Sequence, residues 1–190
     1  MTIDGRMLRN CLGRFATGVT VVTYEADGEV HGLTVNAFTA VSLEPSLVLV
    51  SLDRRSRACG KLEDRPFAVN ILAAGQHELA LHFAGRPQRD LVVGWGDAIP
   101  GRPPRLAGCA AYFDCRPWRC YDGGDHVLFL GEVETVDVNE DSEPLIFYGG
   151  RFRSVGGFAE ALLQPTFVGD PGWLGEAHQF NLPSCCARHS

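Results

Sequence analysis

The chain has 190 residues, of which 45% are apolar and 21% charged, with a net charge of −6. That length holds one domain with a substantial core and excludes two ordinary ones. The acidic balance argues against a general nucleic-acid binder, whose phosphate contacts need a basic surface, and no apolar run approaches the roughly 18 residues of a membrane span.

The first eleven residues carry Asp4, Arg6, Arg9 and Asn10 and lack the apolar stretch of a signal peptide. Residues Met7 to Phe15 place Leu8, Cys11, Leu12 and Phe15 at helical spacing, and Gly13 and Gly18 oppose a longer helix. Val19 to Tyr24 is rich in β-branched residues and reads as a strand, Asp27-Gly28 as a hairpin turn, and Val30 to Val35 as the return strand. Asn36 to Val41 leads through Ser42 and Pro45 to the apolar run Leu47 to Leu52, a strand buried on both faces.

Asp53 to Arg57 is a basic break, and Ala58 to Glu63 reads as a short helix. Phe67 to Leu72 is a strand, Gln76 to Phe83 a helix, and Gly85 to Pro104 a long Gly-, Pro- and Arg-rich loop. Ala107 to Trp118 and His126 to Val138 are strands, and Pro144 to Tyr148 a last short one. Strands at this spacing, without βαβ alternation, predict a mainly β fold that closes into a barrel or a sandwich, with a few short helices. The boundary falls near Phe158, with one β domain over 1–158 and a Pro- and Gly-containing tail over 159–190. Seven cysteines, without a C-x-x-C pair or secretory context, read as reduced thiols of a cytoplasmic protein, with the adjacent Cys185 and Cys186 prone to oxidation.

The common catalytic signatures are absent. The sequence has no P-loop, no G-x-G-x-x-G, no G-x-S-x-G, no H-E-x-x-H and no paired C-x-x-C. His77 and His82, five apart, do not share a helix face. No metal site is expected, and any catalysis would draw on a bound cofactor.

Three segments carry polar chemistry beside apolar strands. Gly32 to Ser42 sets Thr34, Asn36, Thr39 and Ser42 among apolar residues, which suits either an ordinary strand edge or a cradle for a planar polar ligand. Ser51 to Arg57 offers three arginines and two serines after a buried strand, which suits either a solvated turn or a phosphate. Asp122 to Glu132 combines Gly123-Gly124 with Asp125 and His126 at a strand mouth, where a histidine can donate, accept or carry a proton.

These segments stand in the order and spacing of a known family. With the FATGVTVVT stretch at 15–23, GLTVNAFTAVSLEPSLVLVSLDRRS at 32–56, FAVNILAAGQ at 67–76, FAG at 83–85, GDHVLFLGEV at 124–133 and PLIFYGGRF at 144–152, the chain resembles the flavin reductases built on the FMN-binding split β-barrel. More narrowly, it resembles the reductase component of two-component flavin-diffusible monooxygenases. The resemblance implies an antiparallel, Greek-key-like split barrel, hydride transfer from NADH or NADPH to FAD or FMN, a homodimer, and a partner oxygenase reached by diffusible reduced flavin, with neither nucleic acid nor membrane involved. It implies that Thr34, Val35, Asn36, Ala37, Phe38 and Thr39 hold the isoalloxazine ring with backbone N–H groups, and that Ser51 and Leu52 lie against it. Ser56, with Arg55 or Arg57, would bind the phosphate, and Phe83, Ala84, Gly85 and Arg86 would sit near the phosphate or ribityl end.

His126, steered by Asp125, would face the nicotinamide, bordered by Tyr148, Gly149, Arg151 and Phe152. Family members often carry Ser-Pro-Pro-Leu or Asp-Pro-Pro-Leu where this chain has Glu44-Pro45-Ser46-Leu47, and Ser or Thr near Ala58, which shifts the phosphate clamp here toward arginine. Phe38, Phe113 or the tail aromatics would supply the apolar dimer surface. The alternative use of the same fold is a flavin carrier, sensor or electron-transfer protein that holds its flavin without turnover.

Overall fold

The computed structural model describes residues 3–156. The expectations for the tail, including Cys185 and Cys186, fall outside them. The described chain runs α1 (Gly5–Leu12), β1 (Thr17–Gly18), β2 (Thr20–Ala26), β3 (Glu29–Val35), β4 (Phe38–Leu43), β5 (Ser46–Asp53), β6 (Phe67–Ile71), α2 (His77–Phe83), β7 (Ala111–Gly123), β8 (His126–Val138), β9 (Ile146–Tyr148) and β10 (Arg151–Arg153).

Seven strands form one antiparallel sheet in the order β3-β2-β6-β7-β8-β5-β4. Its two outermost strands, β3 and β4, are joined by only Asn36 and Ala37. A link that short reaches about 10 Å at most, so the sheet must roll until its edges meet. It does so without pairing β3 to β4, which makes an antiparallel split barrel. The β1-β9-β10 sheet packs as a separate small layer.

The expected strands are present, with instructive shifts. β8 spans the expected residues, its run rich in β-branched and aromatic side chains bounded by the Gly123-Gly124 turn and Asn139. β7 begins four residues later than expected and runs on to Gly123, bulged at Asp114/Cys115 and Pro117/Arg119. Pro117 has no N–H to give to the ladder, so it sits beside a bulge. In β5, Leu47, Val48, Val50 and Leu52 are buried, but Leu49 and Ser51 are only half-buried, because the outer face of this strand is open. The helix expected over Ala58 to Glu63 is a succession of turns instead. Ala58 and Leu62 drop into the barrel core, and the Leu62 amide donates to the Ala58 carbonyl at 3.0 Å, but the turn does not propagate. α1 starts two residues earlier than expected, capped by the Asp4 carboxylate on the Arg6 amide, and ends at Gly13.

One core fills the barrel around Val22, Val50, Leu52, Leu62, Phe67 and Phe129. A second lies between the barrel and α2, around Val19, Val21, Leu72 and Ala80. The long 85–106 loop is pinned to the outer face of β2, β6 and β7 by buried polar groups. The Asn70 amide donates to the Val21 carbonyl and the Thr23 hydroxyl, each at 2.9 Å, and its carbonyl accepts from the Leu106 amide at 2.8 Å. Arg102 holds Asp114 at 3.2 Å.

The Asp114 side chain is buried, and its Oδ1 has no partner. Burial pushes its pKa up against the opposing pull of Arg102. A raised folded-state pKa means that the folded protein holds this proton more tightly than the unfolded one. The stabilisation is therefore full below the ordinary carboxylate range and lost as pH rises through the folded pKa. In urea unfolding between pH 4 and about 8, the stability of the protein relative to Asp114→Asn should fall with rising pH. A difference that grows with pH would contradict this.

Candidate functional site

Where the barrel splits, the backbone is left with donors to spare. The β2–β3 ladder ends at Val35 and the β4–β5 ladder begins at Phe38. The amides of Asn36 and Ala37 therefore serve neither ladder, and both residues are exposed. The segment is nonetheless fixed, since the Ala37 carbonyl accepts the Ser51 amide at 3.0 Å. Backbone N–H groups that no ladder uses, on a segment tied to β5, suit the carbonyl edge of a planar ligand, because fixed dipoles stabilise negative charge with little reorganisation.

Beside this link is a cleft of about 340 Å³. Thr34 and Asn36 from the β3 end, Ala84 and Arg86 from the α2 end, and Phe152 from β10 all line it. Five of the expected site residues, from three distant stretches of sequence, thus meet at one place. Sequence reading missed the rest of its wall, Val19, Ala80, Leu81, Phe147 and Gly150. Only Gly150 carried a usable signal: Gly149 and Gly150 have φ of +58° and +77°, the two-residue hairpin turn that Gly-Gly favours. The turn is anchored by the Gly149 amide on the Gly13 carbonyl at 2.9 Å, which ties the hairpin to the end of α1.

Several expected residues have other duties. The Thr34 hydroxyl donates to the Ala80 carbonyl at 2.7 Å, binding β3 to α2, so it is engaged within the fold. The side chain of Val35 is buried, and that of Leu52 is 1% exposed inside the barrel, so only their backbones can face a ligand. Phe83 is half-buried over Gly32, where an added Cβ would lie 2.5 Å from its ring, and it meets Trp95 edge-on at 6.4 Å. Phe38 and Phe113, both half-buried, pack on each other at 5.6 Å against the core. The exposed large apolar residues include Met7, Leu12 and Phe15 of the N-terminal helix and its end. Gly85 and Tyr148 are exposed, as are Thr39 and Arg151.

A second group lies along β5 and the β7–β8 turn. Ser51 is opposite Leu128, and Asp53 is opposite His126, so Ser51, Asp53 and His126 share the outer face of the sheet. His126 Nδ1 is 2.7 Å from the Asp125 carboxylate, which leaves Nε2 as the ring nitrogen not engaged by Asp125. The ring is 40% exposed. The turn is held from below by Arg54, which was not among the expected site residues. Its side chain binds Asp122 and donates to the Gly124 carbonyl, and its amide donates to the Asp125 carbonyl at 3.1 Å.

Past the end of β5, the arginines divide. Arg55 forms a fork with Asp53, at 2.7 and 3.1 Å. The guanidinium and the amide of Arg55 together hold the Asp53 carboxyl well below the usual carboxylate range. Arg57 is exposed and makes no ion pair among the described residues. Next to it, the Ser56 hydroxyl oxygen is buried without a hydrogen-bond partner. An orphaned hydroxyl beside an unpaired guanidinium fits an incoming phosphate oxygen. Of the two arginines left open by the sequence, Arg57 is the available one.

Residues 12–156 match the flavin reductase like domain family. The chain is 43% identical over 155 residues to an NADH-dependent flavin reductase of Rhodococcus sp, covering 78% of this chain and 85% of that protein. It is 36% identical over 146 residues to the reductase component of 4-hydroxyphenylacetate 3-monooxygenase from Thermus thermophilus, covering 76% of this chain and 93% of that one. Among solved structures, the flavin reductase PheA2 superposes with a TM-score of 0.77 at 38% identity, over 82% of this chain and 100% of that one.

Proposed function

The chain belongs to the flavin reductase family, and from that premise we propose that it moves a hydride from NADH to FAD or FMN and releases the reduced flavin to a separate oxygenase. The observation that carries this reading is the ladder-free amide pair of Asn36 and Ala37 beside a cleft, with Ser56 and Arg57 suited to a phosphate. When bound, the flavin supplies the electron sink. The chain supplies position and charge. The Asn36 and Ala37 amides donate to the polar edge of the ring, where negative charge builds during reduction. Ser56 and Arg57 fix the phosphate, and Phe152 and Arg86 bound the cleft.

His126 places the nicotinamide, with its Nδ1 turned to Asp125 and its Nε2 available to the co-substrate. His126→Ala is accordingly expected to raise KM for NADH about tenfold or more, the worth of one hydrogen bond of ~1.5 kcal/mol, with a smaller loss of kcat. Steady-state kinetics with both flavins and both nicotinamides checks this, and unchanged NADH kinetics would remove His126 from the site. The same assay measures the preference for NADH over NADPH.

A homodimer is part of the proposal. α1 buries none of its residues against its own barrel; Leu8 and Leu12, four apart on one helix face, are 46% and 63% exposed, and Phe15 just past the helix is 77% exposed. A second copy that covers this apolar face is the economical occupant, because so much clustered apolar surface is unusual on a monomer. Sedimentation should give twice the chain mass, and Leu12→Asp with Phe15→Asp should return the monomer; a wild-type monomer at micromolar concentration would contradict it. The cytoplasm, where NADH is available, is the compartment this reading assigns.

A further inference from the structure

Away from the cleft, the structure holds a feature that the proposed reaction does not use. A cavity of about 500 Å³ opens between the 54–66 segment and the outer half of the β7–β8 hairpin. Cys59 and Cys120 both line it, with Glu63 and Arg54 at its wall. The Cys120 thiol donates to the Glu63 carboxylate at 3.5 Å. Cys59 is half-buried and Cys120 exposed. The two other internal thiols, Cys109 and Cys115, are buried in the cores, where burial pushes each up to about 12, so they are inert.

We propose that Cys59 and Cys120 are an oxidisable pair, joined by peroxide into a disulfide that ties the 54–66 segment to β7. One thiolate attacks a peroxide oxygen, breaking the O–O bond and giving a sulfenic acid and water. The second thiol then attacks that sulfur, displaces water and forms the S–S bond. In sum, two thiols and one hydrogen peroxide give one disulfide and two waters. Each sulfur is oxidised by one electron, and the peroxide takes both.

Three features fit these roles. Arg54 lines the same cavity and, although its guanidinium is engaged by Asp122 and the Gly124 carbonyl, keeps a positive charge at the wall. Glu63, already accepting from Cys120, is placed to take its proton as the bond forms. The 54–66 segment is built from turns rather than a ladder, so Cys59 has latitude to reach the separation of about 5.5–6 Å between Cα atoms that a disulfide needs. At rest, burial and the Glu63 carboxylate both hold the proton on Cys120, so the pair answers to sustained peroxide rather than to traces.

The source of peroxide rests on the flavin reductase reading. Reduced flavin released without an oxygenase to receive it reacts with dioxygen, giving oxidised flavin and hydrogen peroxide. Cys59 lies three residues from Ser56, and the Cys59 amide donates to the Ser56 carbonyl at 3.2 Å. The bond would therefore restrain the phosphate-facing turn, and unconsumed product would throttle the enzyme that makes it.

The test uses the full-length reduced chain and added hydrogen peroxide, without flavin or NADH. After alkylation of free thiols and digestion without reductant, mass spectrometry should find the Cys59 and Cys120 peptides joined and two hydrogens lighter. Dithiothreitol should reverse the link, and Cys59→Ser and Cys120→Ser should each abolish it. At the same doses, flavin affinity should fall at least threefold in the wild type and stay constant in both variants. Peroxide that leaves both thiols alkylatable while Cys11 oxidises, or that carries Cys120 to a sulfinic acid without a link, overturns the pair. A link with unchanged flavin affinity overturns the feedback. Because the link is read without flavin, its failure is distinct from a failure of the reductase reading.

Discussion

Replacing Ala37 by proline should raise the Kd for flavin by about 10- to 100-fold while leaving the barrel folded. Proline removes one of the two amides that no ladder uses. A hydrogen bond to a group that becomes charged is worth about 1.5–3 kcal/mol, which converts to that range of affinity. The substitution spares the Ala37 carbonyl that accepts the Ser51 amide, so the link keeps its anchor to β5. Proline also biases Asn36 toward extended backbone, which continues the direction of β3. Ala37→Ser keeps the N–H and serves as the control. Flavin fluorescence quenching reads the result, with circular dichroism to confirm the fold. Native affinity in a folded Ala37→Pro protein would show that the amide does not face the ring.

Gly131→Ala should destabilise the fold by about 1–3 kcal/mol, the usual cost of an extra methyl group in a packed core. Gly131 lies in β8 between Val48 of β5 and Pro117 of β7. A Cβ there would lie 2.6 Å from Phe67 Cζ and 2.7 Å from Cys115 Cβ. Both neighbours are 1% exposed and have nowhere to retreat. The midpoint of thermal unfolding should drop by about 2–10 °C for a chain of this size. Gly60→Ala meets nothing within 4 Å and should be close to neutral. Equal midpoints for the two variants would mean that the core at the β6–β7–β8 crossing gives more easily than its burial implies.

The same two positions mark where the sequence is legible. β8 could be read to the residue because its content of β-branched and aromatic residues after a Gly-Gly turn is a local signal, and β5 because an apolar run bounded by polar turns has few other uses. Asn36 and Ala37 could be singled out as a polar interruption, but not as the gap of a barrel, since that depends on which strands end up at the two edges. The cleft was legible only in part. Its floor is made of Val19, Ala80 and Phe147, ordinary core residues until packing brings them together.

The choice between Arg55 and Arg57 was likewise closed to sequence. It turns on Asp53 lying two residues before Arg55 with its carboxylate free to fork with it, and on the turn that carries Arg57 away. Thr34 illustrates the opposite failure. Its hydroxyl suggested a ligand contact, but a main-chain oxygen of α2 claims it. The turns at 58–63 read as a helix because Ala58 and Leu62 have helical spacing, which a single turn over the barrel mouth also satisfies.

Anaerobic mixing of the protein with NADH and a several-fold excess of FAD or FMN tests the whole account most directly. The flavin's visible absorbance should bleach at a rate proportional to protein concentration, consuming one NADH per flavin, and colour should return on admitting air. Bleaching no faster than in the protein-free mixture, together with no detectable association of either flavin, would contradict it.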